Sequence, residues 1–533
     1  MRIHGIDLAI VVAYLAGILL IGVFSSRRQG QTSAGYFLAG RSLGWVPIGL
    51  ALFATNISTV HLIGLASSGY SVGLVIGNFE WMAPFLLILL GLVFAPFYFR
   101  TRIATLPEFL EGRYGPGPRT FLAFMAVVGA LFIHIGVTLY AGAVLFRSFV
   151  DLDIVWSILV VSLVTVLYTA LGGLRAVVVT ESLQTLVLLG GALAVTISGL
   201  KALADAGIDS LESLRRAAKP GQVSMIQPKG PFAWWIMLLG YPVLGIWYWC
   251  ADQTIVQRVL GARSERDARL GPIFCGFLKI LPLFVMVLPG VIGYVLFRDR
   301  IGERADAALV ELVKALLPPG LQGVVLAGLL AALMSTVAGA LNSAATLVSL
   351  DIVRRLRPDT PDRKLVWIGR VTVVLVMACA TVWSMFGEAF GGIFSGINQM
   401  ISVLAPPIST VFLWGIFWRR GTARAAMVTL AGGFLLGAAV FVLDFPVFGL
   451  HLLTERCGIP FLLQAFLLFV ACSLVFVLVS LWTPPPDPDR VRRYCWERPW
   501  QAVTEAPFSG VLDPRVLAAA LVLAMAVLYG VFA

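Results

Sequence analysis

The sequence is dominated by apolar runs of about 20 residues, separated by short polar segments. A helix of about 20 residues is long enough to cross the hydrocarbon core of a bilayer. Of the 533 residues, 59% are hydrophobic and 13% are charged, whereas soluble domains carry about 25% charged residues. The chain is therefore predicted to be an all-α polytopic membrane protein embedded in a lipid bilayer.

We predict about 14 transmembrane helices. Lys and Arg gather in the odd-numbered loops, for example at Arg354, Arg355 and Arg357, and the positive-inside rule makes those loops cytoplasmic. The protein is expected in the cell membrane (plasma or inner membrane). Because the number of helices is even and the odd-numbered loops are cytoplasmic, both termini are expected on the outer side. This topology accounts for the net charge of +11, so no nucleic-acid partner is expected. The predicted spans are 6–24, 45–69, 76–99, 119–148, 154–171, 177–200, 232–257, 271–297, 321–349, 366–387, 391–418, 424–443, 459–482 and 514–532.

Two predicted helices contain features that interrupt them. The second carries the polar string Ala54-Thr-Asn-Ile-Ser-Thr-Val-His61, and the seventh carries Gly245-Ile-Trp-Tyr-Trp-Cys-Ala-Asp-Gln253. Interrupted helices at corresponding positions of two halves indicate an inverted-repeat transporter with its site near the midplane. From this placement alone we predict an extra N-terminal helix in 1–30, a first repeat in 31–200, a second in 201–420, and additional helices in 421–533.

Five ionisable residues lie inside apolar stretches: Lys279, His61, Glu80, Glu181 and Asp252. A charge at the centre of a bilayer costs roughly 2.5–3.5 kcal/mol on insertion scales, so such residues usually face a partner or a polar path. Transport is therefore the leading functional hypothesis. A neutralising pair between Lys279 and Asp252 is an equally open structural alternative.

Each further candidate has a structural alternative. Glu80 either accepts hydrogen bonds from the hydroxyl groups of a polyol, or lies at the membrane interface close to the lipid headgroups. His61 donates to a substrate, or is satisfied by a neighbouring carbonyl. Glu181 serves a second cation site, or is a helix-end charge at the surface. Tyr248 and Trp249 stack on a sugar ring and gate a cavity, or anchor the helix at the lipid interface.

Hydroxyl groups on the ninth predicted helix suggest a sodium site. Ser335 and Thr336 are adjacent, and Ala332 lies one turn before Thr336 on the same face. Together with carbonyls of an unwound Ala54–Ser58 segment they would offer the oxygen shell that sodium prefers. The alternative is that these residues mediate close helix packing.

Several other functions have little support in the sequence. No Gly-Lys dipeptide occurs, so there is no phosphate-binding loop for ATP-driven pumping. We also find no nucleophile–base pair or metal-ligand motif, so an enzyme is not expected.

Motifs along nearly the whole chain resemble the sodium/solute symporter family, most closely its sodium/glucose cotransporter branch. They include Tyr36-Phe-Leu-Ala-Gly-Arg-Ser-Leu43, Leu106-Pro-Glu-Phe-Leu110 and Trp247-Tyr-Trp-Cys-Ala-Asp-Gln253. The resemblance implies a LeuT-like fold of two inverted five-helix repeats that works by alternating access, with Tyr248 as the inner gate. The implied sodium ligands are the carbonyls of Ala54, Ile57 and Ala332 and the hydroxyls of Ser335 and Thr336. The implied sugar ligands are Asn56, His61, Glu80, Tyr248, Trp249 and Lys279.

Two positions depart from the family pattern. A sugar-binding Gln expected before Pro406-Pro407 is Asn398 here, with Gln399 beside it, so both are candidate sugar ligands. Glu181 replaces the usual Asp of a cation pathway, which leaves the number of sodium ions per cycle open.

We therefore expect a sodium-driven symporter of a neutral sugar, such as the hexoses glucose or galactose. The alternatives are a sodium symporter of myo-inositol or of a zwitterion, and a transporter-like substrate sensor. The oligomeric state is not predicted by the sequence.

Overall fold

A computed structural model describes residues 4–26, 32–150, 154–385, 393–444, 452–498, 500–504 and 508–533. Side-chain surroundings are described for all of these except 60, 144–150, 154 and 393–398. Within these ranges the chain is built from helices, and the one β pairing is an isolated bridge between Leu43 and Ala262.

The helices of the described part reproduce the predicted membrane spans. Twelve are long and apolar enough to cross a bilayer, and a bent pair supplies a thirteenth span. The helix Ile154–Asp205 has 52 residues. At 1.5 Å per residue it is about 78 Å long, more than twice the roughly 30 Å that the bilayer core requires. Its backbone is non-helical at Gly173 (φ 50°, ψ −158°), so it forms two spans and brings the total to the predicted 14.

We number these spans α1 to α14. Their bounds are α1 Gly5–Ser26, α2a Trp45–Asn56 and α2b Thr59–Ser71, α3 Leu74–Thr101, α4 Pro116–Val150 (as Pro116–Gly129, Ala130–Gly136 and Val137–Val150), α5 154–172, α6 174–205, α7a Trp234–Gly245 continuing through Ile246–Ala251, α7b Gln253–Leu260, α8 Glu265–Ile301, α9 Leu321–Leu356, α10 Asp362–Ser384, α11 Ile393–Phe417, α12 Ala423–Asp444, α13 Phe461–Trp482 and α14 Pro514–Val531.

The predicted break in the second helix is confirmed. α2a ends at Asn56, the backbone is extended at Ile57 (φ −78°, ψ 103°) and Ser58 (φ −100°, ψ 173°), and α2b starts at Thr59. The two halves meet at 60°. Ser58 donates its N–H to Nδ1 of His61 at 3.3 Å, which caps the new helix start. Polar residues of the string that predicted the break therefore also satisfy its backbone hydrogen bonds.

The predicted break in the seventh helix is confirmed as well. Ile246–Ala251 is a wide π-helical turn, and Asp252 is extended (φ −87°, ψ 123°). Asp252 Oδ1 then accepts the N–H of Thr254 at 2.8 Å and caps α7b. Wide turns of this kind inside helices are frequent at functional sites.

Small residues let α2b lie directly against α8. A Cβ atom on Gly290 would overlap the carbonyl oxygen of Ala66, and one on Gly69 would overlap the carbonyl oxygen of Val287. Close backbone approach at small residues is a common way to pack membrane helices. This contact fixes the broken helix against the helix that carries Lys279.

The ninth span lies at the centre of the bundle. In α9, 94% of the most apolar stretch is buried inside the protein. Its N-terminus is held by Asp7 of α1, whose Oδ1 accepts the N–H groups of Gly320 and Gly323, both at 2.7 Å. The hydroxyl pair Ser335 and Thr336 therefore sits in the protein interior.

Candidate substrate and cation site

The end of α2a meets α9 at the predicted sodium ligands. Ser335 Oγ lies 2.8 Å from the carbonyl oxygen of Ala54 and 3.0 Å from that of Ala332. Thr336 Oγ1 donates to the carbonyl oxygen of Thr55 at 3.0 Å. The structure thus brings together the hydroxyl pair and two of the three predicted carbonyls, and the third, at Ile57, lies in the break itself.

A buried ion pair lies beside this contact. Glu181 is fully buried and pairs with Arg258 of α7b, and Arg258 Nε lies 3.2 Å from Glu181 Oε2. Glu181 Oε1 also accepts the hydroxyl of Thr55 at 2.8 Å. The alternative that Glu181 is a helix-end charge at the surface is wrong, because its carboxylate links α6, α2a and α7b in the interior.

Lys279 forms the centre of a second polar cluster. Its Nζ pairs with Oε2 of Glu80 and donates to Oδ1 of Asn56. The pair between Lys279 and Asp252 that the sequence left open is therefore not formed. Glu80 is fully enclosed rather than at the headgroups, and its Oε1 lies 4.0 Å from Nε2 of His61.

Asp252 has a different partner. Its Oδ2 lies 2.8 Å from Nε2 of His134 on α4, and both side chains are buried. Asp252 thus binds His134 through one carboxylate oxygen and caps α7b through the other.

Two aromatic residues of the α7 break cover the Lys279 cluster. Tyr248 accepts a hydrogen bond from Nδ2 of Asn56 at 3.1 Å. Trp249 packs edge-on against Tyr248 with ring centroids 5.1 Å apart, and its ring centroid lies 5.5 Å from Lys279 Nζ. Trp249 is buried, so the alternative that it anchors the helix in lipid is wrong.

One cavity joins most of the predicted sugar ligands. It holds ≈ 860 Å³ of empty space, including its open part, and its walls include Asn56, His61, Glu80, Tyr248 and Trp249. Within it, carboxylate and amide oxygens can accept hydrogen bonds from hydroxyl groups, the amide nitrogen of Asn56 can donate, and aromatic faces can stack.

The remaining three sugar candidates do not line the described part of this cavity. Lys279 is fully buried and contacts Asn56 and Glu80 of the wall. Gln399 lines a separate small cavity with Asp444 and Gln464. The side chain of Asn398 lies outside the described residues.

Sequence reasoning missed two partners. His134 lies inside a predicted span and is an ionisable residue in an apolar run, the same signal that singled out His61. Arg258 follows directly after the predicted span 232–257 and so falls in a predicted loop, although it is fully buried. A seventh span extended by one residue would include Arg258 as a second ionisable residue beside Asp252.

Two interrupted helices that meet at a buried polar cavity define a secondary transporter of the broken-helix class. Comparison with known proteins gives the family. Residues 36–433 match the sequence model described as "Sodium:solute symporter family", and the chain belongs to that family. The family membership that the sequence motifs predicted is thus confirmed. Sodium is the co-transported ion of this family.

Curated relatives extend over most of the chain. A sodium/glucose cotransporter 1 of Ovis aries is 33% identical, over 92% of this chain and 80% of its own length. A sodium/mannose cotransporter of Bos taurus is 35% identical, over 94% and 90%. A sodium/myo-inositol cotransporter 2 of Oryctolagus cuniculus is 34% identical, over 92% and 78%.

Solved structures support the fold. A Na⁺-coupled sialic acid symporter in a substrate-bound outward-open state has a TM-score of 0.79 at 22% identity, covering 91% of this chain and 99% of its own. The nucleobase-cation-symport-1 family transporter MHP1, in a closed conformation, has a TM-score of 0.53 at 14% identity, over 86% and 97%. The predicted LeuT-like fold is confirmed.

Proposed function

We propose that this protein imports a neutral hexose together with sodium by alternating access. The observation that carries the proposal is the enclosed cluster of Lys279, Glu80 and Asn56 beneath Tyr248. The names of the relatives support a polyhydroxylated solute, since they include glucose, mannose and myo-inositol.

The charge balance of the cluster favours a neutral solute. Lys279 and Glu80 compensate each other, so a bound molecule need not bring a charge of its own. Each sugar hydroxyl both donates and accepts, and can therefore replace one of the contacts that Glu80, Asn56 and Lys279 now make among themselves. Stacking of the sugar ring on Tyr248 would close the cavity from the inner side.

The start of α2b argues against a zwitterion. Transporters of this class bind substrate carboxylates at the N-terminus of a half-helix. Here His61 Nδ1 already accepts the N–H of Ser58, and Glu80 lies beside the same histidine. A carboxylate would have to displace the imidazole and approach a like charge.

We propose that sodium binds at the carbonyls of Ala54, Ile57 and Ala332 and the hydroxyls of Ser335 and Thr336. The Ser335 hydroxyl already contacts the carbonyl oxygens of Ala54 and Ala332. The Thr336 hydroxyl contacts the carbonyl oxygen of Thr55, the residue after Ala54. A cation there would replace the hydrogen bonds between these hydroxyl groups and carbonyl oxygens, and would hold the end of α2a in position. A second cation at Glu181, which the sequence left open, requires that Arg258 leave the carboxylate.

The proposed working parts are the two halves of the chain. Residues 31–200 and 201–420 would form the inverted repeats and contribute one broken helix each, α2 and α7, to the site. α1 and α12–α14 would be additions around them, and both termini would lie outside. Rocking of one repeat against the other exposes such a site to each side in turn.

Myo-inositol is the second candidate. It offers the same ring of hydroxyl groups to the same donors and acceptors, and a myo-inositol cotransporter is as similar to this chain as the glucose cotransporters are. The distinction must therefore come from uptake.

The test is uptake of radiolabelled hexoses, myo-inositol and proline into proteoliposomes that hold the purified chain. An inward sodium gradient is compared with choline substitution. Sodium-driven accumulation of a hexose supports the proposal, whereas sodium-driven accumulation of myo-inositol alone favours the second candidate. Accumulation of proline alone, or hexose uptake that is indifferent to sodium, overturns it, and binding without uptake favours a sensor.

A further inference from the structure

A second, larger cavity lies behind the α7 break, between α4, α7, α11 and α12. It holds ≈ 1650 Å³ of empty space, including its open part. Its walls are mostly apolar, with Met125, Met400 and Phe434 among them, and Trp247 at the inner end. It shares only Ile133 and His134 with the sugar cavity, so most of its wall is separate.

The outer rim of this cavity faces the bilayer. Among the large apolar residues of its wall, three are substantially exposed: Leu435 at 74%, Val442 at 46% and Phe132 at 38%. All three are large and apolar and belong to membrane-spanning helices. Exposed apolar side chains at this depth contact lipid. A molecule dissolved in the membrane can therefore enter from the side without passing through water.

The inner end of the cavity carries an unused hydrogen-bond donor. Gln253 is 2% exposed and lies in the wall, and its Nε2 has no hydrogen-bond partner among the described residues. The amide cannot simply be turned around, because its Oε1 accepts the N–H of Leu106 at 2.8 Å. Buried donors in proteins are almost always satisfied, so this one indicates an acceptor that the chain itself does not supply.

The neighbouring charges restrict what that acceptor is. His134 and Asp252 also line the inner end, and they bind each other at 2.8 Å. An anionic group beside Gln253 would approach the carboxylate of Asp252, and a cationic one would compete with His134. An uncharged acceptor such as a carbonyl or ether oxygen meets neither obstacle.

We propose that this cavity is a membrane-accessible binding site for a neutral, largely apolar molecule with one hydrogen-bond acceptor that meets the amide of Gln253. The apolar walls bind the body of the molecule, and the amide sets its direction. The site is separate from the proposed sugar and sodium sites, so it does not rest on the proposed function.

One wall residue, Gly129, can be replaced by a larger residue without a clash with the surrounding core. A Cβ atom on Gly129 meets nothing within 4 Å, and Gly129 lines the cavity. A large side chain there can occupy the empty space. Gly432 on α12 also has nothing within 4 Å but is not part of the described wall, so it is a matched control.

The experiment uses benzophenone as the probe, with the full chain in lipid nanodiscs. Benzophenone is neutral and apolar with a single carbonyl acceptor, and on illumination its ketone inserts into nearby C–H bonds. We expect saturable labelling of peptides that contain Met125 and Met400, mapped by mass spectrometry. Gly129→Phe should abolish this labelling and Gly432→Phe should leave it unchanged, with Gly129→Leu as a second variant if the first does not yield monodisperse protein.

The role of the acceptor is tested by competition. Dicyclohexyl ketone should protect against labelling at roughly 2- to 10-fold lower concentration than dicyclohexylmethane, which has the same shape without the oxygen, as expected for one hydrogen bond. Equal protection by both compounds would show an apolar gap that any acyl chain fills, and would overturn the proposal. Labelling that is not saturable, or that survives both Gly129 variants, would show that there is no site.

Discussion

Replacement of Ser335 by Ala should weaken sodium binding while the fold is kept. Ser335 Oγ lies 2.8 Å from the carbonyl oxygen of Ala54. That carbonyl has no helical partner, because the N–H of Ser58 is bonded to His61 instead. The hydroxyl therefore satisfies the end of α2a without sodium, and serves as an ion ligand with it.

The size of the effect is a difference between two states. A contact between a hydroxyl and a charged group contributes about 1.5–3 kcal/mol, and the neutral hydrogen bond that it gives up contributes about 0.5–1.5 kcal/mol. The net loss for the Ala variant is roughly 1–1.5 kcal/mol, which corresponds to a roughly 5- to 13-fold higher half-saturating sodium concentration. By linkage, sugar affinity should fall at low sodium and recover when sodium saturates.

The assay is hexose uptake into proteoliposomes over a sodium titration. Ser384→Ala is the matched control, because Ser384 is buried on α10 and its Oγ donates to the carbonyl oxygen of Thr381 at 2.7 Å. The control should titrate like the parent. If Ser335→Ala also keeps the parent's half-saturating concentration within twofold, the hydroxyl is a packing residue and the proposed ion shell is wrong.

Three further outcomes follow from the contacts. Glu80→Gln leaves Lys279 buried without its counter-charge and should destabilise the fold by about 3–5 kcal/mol, seen as a lower melting temperature; adding Lys279→Met should recover stability but not uptake. Tyr248→Leu removes the ring on which the sugar is proposed to stack, so sugar KM should rise by about 2- to 10-fold at an unchanged sodium half-saturation, and an unchanged KM would contradict the stacking. Gly290→Ala forces a methyl group onto the carbonyl oxygen of Ala66 and should lower stability by about 1–3 kcal/mol; parent-like melting would show that the helices separate easily.

The spans and both breaks were accessible from the sequence because they are local properties. Apolar length sets a membrane helix, and polar residues such as Asn56 and Ser58 compete with the helical hydrogen bonds around them. The two spans on either side of Gly173 were also predicted separately, although the helical pattern continues through them.

The pairing of charges was not accessible, because it depends on how distant helices pack. Lys279 binds Asn56 and Glu80, which are 223 and 199 residues away along the chain. Asp252, on the preceding span, was the nearer candidate by sequence and instead binds His134. The family resemblance implied one site for Asn56, Glu80 and Lys279, but it did not give their hydrogen-bond partners.

Three consecutive residues explain how the proposed ion and sugar sites communicate. The carbonyl of Ala54 meets Ser335, Thr55 meets both Thr336 and Glu181, and the amide of Asn56 meets Tyr248 and Lys279. All three lie on the last turn of α2a before the break, so none can move without the others. An ion that fixes the carbonyls therefore also fixes the sugar-binding amide, and a sugar held by that amide orders the carbonyls for the ion. Because this proposed coupling resides in one turn of helix, it would raise both affinities by the same factor.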